Sequence, residues 1–384
     1  MSKLHKHIVF VHLLNDYSGS PLVLSQVINT IDGSGTQKTL FTSGGKNEGF
    51  LSGLPGVETR FFWYRWQANP WMRLAAFMCS QAMLFFRLLR YWRTDVTIYV
   101  NTLLPFGAAL AGKLMNKRVI YHVHETSMKP ALLKTFLRWV ANYTAATVIH
   151  VSKYLAENEH FTKPENKVVY NSLSASFIET ARTQQPAAVP GKNFTVLMLC
   201  SLKVYKGIDE FVSLAHRLPE LQFELVLNAA AQEVNDYFSK SRLPKNLVIH
   251  AVQKNVHPFY RRASLLINLS HPDKWIETFG MTVLEGMYYR LPVIVPPVGG
   301  VAELAEDGVN GFLTDSRDIV KLAGQIRLLA TQPARYGKMS RASYSKALLF
   351  TGPLFQQQIA ACLNSTVEES TIPILPKPYK SISI

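Results

Sequence analysis

ETFGMTVLEG, residues 277–286, is the stretch on which the reading of this chain turns. It follows LLINLSHPDKWI (265–276), an apolar run that breaks into a polar, proline-containing segment, the pattern of a strand and its loop. Glu277 falls on the loop. A helix then starts near Thr278, and Glu285 lies two turns into it, near the same face. Gly280, next to Phe279, lets the backbone approach a ligand closely. Free amides at that helix start, around Met281 and Thr282, suit a diphosphate. Glu285 is a natural acceptor for two ribose hydroxyls. Two glutamates eight positions apart are common on any protein surface, so the spacing decides nothing alone. The residues on either side carry the argument.

Working outward, short β-branched runs alternate with helical lengths across the whole chain. Strands are expected at Ile8–Leu14, Lys38–Thr42, Val96–Asn101, Val119–His124 and Thr147–Val151. A second set is expected at Thr195–Cys200, Phe223–Asn228, Leu247–His250, Leu265–Leu269 and Val293–Pro296. Such runs separated by helices signal βαβ units and parallel sheets covered on both faces. At 384 residues the chain is long enough for two cores. Thr183–Asn193, with Pro186, Pro190 and Gly191, reads as the linker between them.

Three cysteines, Cys79, Cys200 and Cys362, lie far apart with no metal-ligand or disulfide spacing, which suits a reducing, cytoplasmic setting. The first apolar run contains His12 and no small-residue cleavage site follows it, so it reads as a strand and not as a secretion signal. The formal charge is +15, of which residues 1–190 hold +10 (20 Lys/Arg against 10 Asp/Glu). That asymmetry favours an anionic partner for the N-terminal half. Residues 71–93, WMRLAAFMCSQAMLFFRLLRYWR, bear on which. The uncharged part, Leu74–Phe86, is shorter than the roughly 20 residues of a membrane span. Arg73, Arg87, Arg90 and Arg93 among Trp71, Phe85, Tyr91 and Trp92 suit a helix lying on an anionic membrane. Apolar residues on nearly every face favour a buried core helix instead. Both readings stand at this stage.

Three more stretches carry chemistry. SLKVYKGID (201–209) ends a strand with Lys203 and Lys206, whose ammonium groups can neutralise a diphosphate leaving group. LLNDYSGSPLVL (13–24) turns through Gly19 onto a helix start, which accommodates phosphate and acceptor groups. YHVHET (121–126) places His124 and Glu125 at a strand end.

The sequence after Glu285, GMYYRLPVIVPPVGGVAELAEDGVNGFL (286–313), makes a resemblance specific. Glu277, Phe279, Gly280, Glu285, Leu291, Pro292, Val293, Gly299, Gly300 and Glu303 resemble the pattern of glycosyltransferase family 4, and Asp307, Gly308, Asn310, Gly311 and Phe312 continue it. The likeness extends from about residue 7 to 363. Lys206–Gly207 matches the family's diphosphate-binding pair, His124 its cleft histidine and Gly19 its N-terminal glycine turn. Ser201 stands where the family commonly has Arg, and Lys203 is the candidate substitute. Arg290 stands where a helix-ending Gly is usual, which implies a different cap.

The resemblance implies an α/β protein of the GT-B fold, two Rossmann-like α/β/α domains facing across a cleft. Residues 1–182 form the acceptor-side domain, 183–193 the linker, 194–350 the donor-binding domain, 351–364 a helix returning to the first domain, and 365–384 a loose tail. It implies a retaining hexosyl transfer from a nucleoside diphosphate sugar, with no cofactor and no metal, to a glycan or lipid-linked glycan. Lys206, Glu277 and His124 would act in catalysis. Gly19, Lys203, Phe279, Gly280, Met281, Thr282 and Glu285 would bind the donor. The dinucleotide and P-loop fingerprints are missing, and no recognition motif supports a nucleic-acid partner. Another GT-B enzyme, an epimerase or a phosphorylase, and a non-catalytic sugar-nucleotide binder remain as alternatives. Contact of the N-terminal half with an anionic membrane is expected as well.

Overall fold

The computed structural model describes residues 7–31, 35–44, 49–184 and 194–364. The tail from 365 and most of the linker (185–193) lie outside the described residues. The first half holds β1 (His7–Val11), α1 (Gly19–Asn29), β2 (Gln37–Ser43), β3 (Val57–Phe62), α2 (Pro70–Leu88), β4 (Thr97–Asn101), α3 (Phe106–Leu114) and β5 (Arg118–Val123). It continues with α4 (Ala131–Thr144), β6 (Thr147–His150), α5 (Lys153–Asn158), β7 (Glu165–Val168) and α6 (Ala175–Thr183). Its strands form one parallel sheet ordered β3-β2-β1-β4-β5-β6-β7.

The second half runs β8 (Thr195–Ser201), α7 (Ile208–Arg217), β9 (Gln222–Asn228), α8 (Ala231–Phe238), β10 (Leu247–His250), α9 (His257–Arg262) and β11 (Leu265–Ile267). Then follow α10 (Met281–Tyr288), β12 (Val293–Val295), β13 (Gly311–Leu313), α11 (Ile319–Thr331), α12 (Pro333–Ala347) and α13 (Gly352–Asn364). The parallel sheet is ordered β10-β9-β8-β11-β12-β13. In each sheet the chain winds outward one way and then the other, so the order reverses between β1 and β4, and again between β8 and β11. Those reversals are where an open α/β sheet leaves a crevice beyond its strand ends.

Fully buried strand residues such as Val9, Phe10, Val100, Leu197 and Leu225 explain why near-continuous apolar runs marked most strands. Three strands escaped the pattern. β3 (VETRFF) and β7 (ENKV) are edge strands with polar positions, and β13 is three residues long.

The two halves share more than a linker. α13 lays Phe355, Ile359 and Leu363 into the core formed by Ile8, Phe10 and Tyr99, and Arg118 donates to the carbonyls of Cys362 (2.8 Å) and Leu363 (2.7 Å). A boundary at residue 182 assigns α6 to the first unit, but Phe177 packs its ring on His257 (4.5 Å), Tyr260 and Tyr289 (both 6.2 Å) of the second. Through Phe177, α6 thus contacts both units.

The 71–93 segment fits neither expectation alone. The helical run Pro70–Tyr91 is long and apolar enough to cross a membrane by composition, with mean hydropathy 1.3. It is longer than the uncharged stretch suggests, because Asn69 caps it through the amides of Trp71 and Met72, and Pro70 starts it. α2 buries one face only, through Ala76, Phe77, Ser80, Gln81, Leu84 and Leu88. The opposite apolar face is exposed, so the helix is not a core helix.

Candidate active site

The two glutamates sit where the order of the second sheet reverses. Lys206 follows β8 and Glu277 follows β11; these strands pair directly, which brings residues 71 apart in sequence together. Lys206 Nζ forms an ion pair with Glu277 Oε1, and Ser270 Oγ donates to the same oxygen at 2.9 Å. Burial pushes the Glu277 carboxyl up. The Lys206 charge and hydrogen bonds from Lys206, Ser270 and Trp275 outweigh it and hold the group below its ordinary value, so it is ionised at neutral pH. Lys206 also lies over the Trp275 ring (5.1 Å), which stacks on Tyr205 (5.4 Å between centroids, 18° apart). Neither aromatic was singled out from sequence.

Glycines make the approach possible. Gly207 has φ 76°, and a Cβ there would lie 2.3 Å from the Leu269 carbonyl oxygen. Gly280, at φ 99°, caps α10 and packs on Val301. The Gly299–Gly300 turn presses on the same loop. Their Cβ atoms would meet the carbonyl oxygens of Glu277 at 2.5 Å and Thr278 at 1.9 Å. The Val283 and Leu284 amides turn back to Gly280 O, both at 3.1 Å, which leaves Met281 and Thr282 at the open helix start. Phe279 is buried between Tyr170 and Phe350 at the seam of the two units, so only its backbone is placed to touch a ligand.

Glu285 is reached by the Tyr260 hydroxyl, which donates to Oε2 at 2.5 Å. Burial raises its carboxyl to about 7 despite that bond. Lys203 is exposed, and no carboxylate pairs with it among the described residues.

The first sheet contributes through Asn101, at the end of β4 where that sheet reverses. Asn101 Nδ2 donates to Ser20 O at the start of α1 (3.1 Å) and contacts His12 Nδ1 (3.1 Å), and its Oδ1 lies 2.9 Å from His124 Nε2. This network ties the Gly19 turn to His124, a link with no signal in the sequence. The open space around Gly19 leaves its turn accessible. The His124 ring packs on His122 at 4.3 Å, turned toward Asn101. Burial, with His122 and His12 beside it, holds it well below its usual range, so it is neutral. His124 meets the second unit through its carbonyl, which accepts from Thr278 Oγ1 at 2.7 Å. Glu125 joins two loops by accepting from the amides of Leu103 (3.3 Å) and His124 (3.1 Å). Next to it Thr102 holds φ 71°, a strained conformation for a β-branched residue.

Glu303 is a further residue whose role the sequence left unread. Its carboxylate accepts from the amides of Lys153 (3.3 Å) and Tyr154 (2.7 Å) at the start of α5 and from the Tyr170 hydroxyl (2.6 Å). It clasps the first unit to the second.

The expected change of cap at Arg290 is corrected. Arg290 adopts φ 59°, its amide donates to Met287 O (2.9 Å) and that of Leu291 to Gly286 O (3.1 Å). These are the bonds a glycine would make at that helix end. The guanidinium lies 4.7 Å over the Tyr344 ring, which offsets the backbone strain.

Two doubly wound units with both sheet reversals turned to one seam define the GT-B class. The comparison with solved structures agrees: Anabaena HepE, solved in complex with UDP and glucose, superposes with a TM-score of 0.75 at 21% identity, over 94% of this chain and 100% of that one. Residues 179–346, the C-terminal unit, match the family described as Glycosyl transferases group 1. Among curated relatives, the D-inositol 3-phosphate glycosyltransferase of Arthrobacter sp. (strain FB24) is 25% identical over 63% of this chain and 59% of its own length. The poly(glycerol-phosphate) alpha-glucosyltransferase of Bacillus subtilis (strain 168) is 22% identical over 47% of this chain and 27% of its own. The chain thus spans less than two thirds of the length of these relatives.

Proposed function

We propose that this chain is a retaining glycosyltransferase, independent of metal, that moves a hexosyl unit from a nucleoside diphosphate sugar to a glycan or lipid-linked glycan. The observation that carries the proposal is the Lys206–Glu277 pair beside the glycine-capped start of α10. A diphosphate fits between that helix start, Lys206 and Lys203, whose charges do the work of a cation. Glu277, ionised, takes hydroxyls of the transferred sugar, and Glu285 takes the ribose. His124, neutral and tied to Asn101, positions the seam and is not a proton donor in this reading. The bond from the sugar C1 to the phosphate oxygen breaks and its electron pair stays on that oxygen. The acceptor hydroxyl bonds to C1 from the same face and gives its proton to the departing phosphate.

A uridine diphosphate hexose is the first donor to test, since HepE was solved with UDP and with UDP-glucose. Three free cysteines, one of them exposed, favour a cytoplasmic place of work. The test is a product assay with a panel of nucleotide sugars and a lipid extract, run with and without EDTA, with the product anomer read by NMR. Binding without turnover on any acceptor or water would move the protein to the non-catalytic alternative. An inverted anomer or full loss in EDTA would overturn the mechanism.

A further inference from the structure

Two exposed apolar stripes lie away from the seam, on α2 and α4. α3 packs between α2 and α4 on one side of the first sheet, so the outer faces of α2 and α4 flank it side by side. On α2 the outward stripe runs through Trp71, Met72, Met78 and Phe86, with Trp71 81% and Phe86 69% exposed. On α4 the matching stripe is Leu132, Phe136, Trp139 and Tyr143, with Leu132 85% exposed. Trp139 and Tyr143 stack within 4° of parallel, so the stripe is a preformed aromatic ridge and not a set of loose side chains. Exposed apolar ridges of this kind, on two helices that flank a third, mark a contact site.

Its rim is basic. Residues 60–150 carry twelve lysines and arginines against two acidic residues, Asp95 and Glu125, with Glu125 spent inside the fold; Arg60 pairs with Glu58, and Lys134 and Arg138 with Glu159, and the excess stays positive. Arg73 lies over Trp66 at 5.5 Å, Lys113 over Tyr143 at 5.4 Å, and Arg90 and Arg93 close the C-terminal end of α2. We propose that this α2–α4 face docks on the surface of an anionic lipid bilayer, with the aromatic ridges in the headgroup layer and the cations on phosphates. A second copy fits worse: a symmetric contact through this face sets like-charged rims against each other. Nucleic acid would leave the two apolar ridges unpaired. The helix α2 lies along the bilayer surface and does not cross it, because its inner face stays locked to α3. Gly107 approaches so closely there that a Cβ would lie 2.1 Å from the Gln81 carbonyl oxygen.

The experiment is sedimentation of the full chain with vesicles of phosphatidylcholine alone and of phosphatidylcholine mixed with phosphatidylglycerol, at low and high salt. Two double variants accompany it, Arg90→Glu with Arg93→Glu and Trp71→Ser with Phe86→Ser. Circular dichroism and UDP affinity check that the variants fold. Binding is expected to the mixed vesicles only and to fade with salt. The charge variant should bind at least 25-fold more weakly, from about fivefold per basic residue lost near such a surface. The apolar variant should also lose binding and the blue shift of tryptophan fluorescence. Equal binding to both vesicle types, or wild-type binding by both variants, overturns the proposal. So does a dimer in sedimentation velocity that Trp71→Ser with Phe86→Ser abolishes while vesicles bind nothing. UDP affinity is read separately, so failure here leaves the glycosyltransferase reading intact.

Discussion

Glu285→Gln should make the protein more stable at alkaline pH and worse at holding its donor. In the fold Glu285 keeps its proton up to about 7 against an ordinary value of 4.5. Between those two values the folded chain binds a proton that the unfolded chain has released, so stability falls as pH rises through the window and levels off above it. The shift corresponds to about 3 kcal/mol of destabilisation above pH 8. Glutamine has no proton to lose and keeps an oxygen for the Tyr260 hydroxyl. The variant should therefore gain roughly 1–3 kcal/mol at pH 8 and almost nothing at about pH 3, below the unfolded value, where the carboxyl is protonated in both the folded and the unfolded chain. Urea unfolding at the two pH values measures this. The cost appears in calorimetry with UDP: losing a charge-assisted contact to the ribose weakens binding by about 1.5–3 kcal/mol, roughly 10- to 150-fold. Wild-type affinity should also decline below pH 7, as the carboxylate takes its proton, while the variant's should stay flat. Equal stability differences at both pH values would show that Glu285 is not the buried, uncompensated acid described here. An unchanged UDP affinity would show that the ribose lies elsewhere.

Lys206→Ala should lower kcat by roughly 10²–10³ with a smaller change in KM, because its contact strengthens as charge develops on the leaving diphosphate; steady-state kinetics on the best donor decide, and a pure KM effect would make Lys206 a simple anchor. Gly300→Ala should cost roughly 1–3 kcal/mol in denaturant unfolding and most of the activity, since the new methyl cannot share space with the Thr278 carbonyl oxygen 1.9 Å away. Arg290→Gly should change stability by no more than about 1 kcal/mol, because relief of the left-handed backbone is offset by the lost contact over Tyr344 and the freer unfolded chain; a larger loss in the same assay would mean the ring contact dominates.

The parts of this site that were legible in the sequence are those whose chemistry is local. Glu277, Gly280 and Glu285 occupy one loop and one helix, so the sequence itself places them together, with the Gly299–Gly300 turn behind them. Lys206 and Gly207 are legible for the same reason: a strand, a cation and a left-handed glycine lie within a few residues. What the sequence hides is who meets whom. Lys206 reaches Glu277 because β8 and β11 are neighbours, and that adjacency is a property of sheet order, which no single stretch encodes. Asn101 is a plain strand-end residue in the sequence; it becomes the tie between Ser20, His12 and His124 because β1 and β4 are adjacent and β5 follows. Glu303 was legible as a matching position but not as a clasp, since its partners are mostly backbone amides, and any residue type at Lys153 and Tyr154 would supply them. α2 shows the opposite failure. Its composition is apolar all round, and only the neighbour it was given, α3, decides which half is covered. Burial belongs to the pair of surfaces, so an exposed apolar ridge is invisible until the partner that does not cover it has been placed.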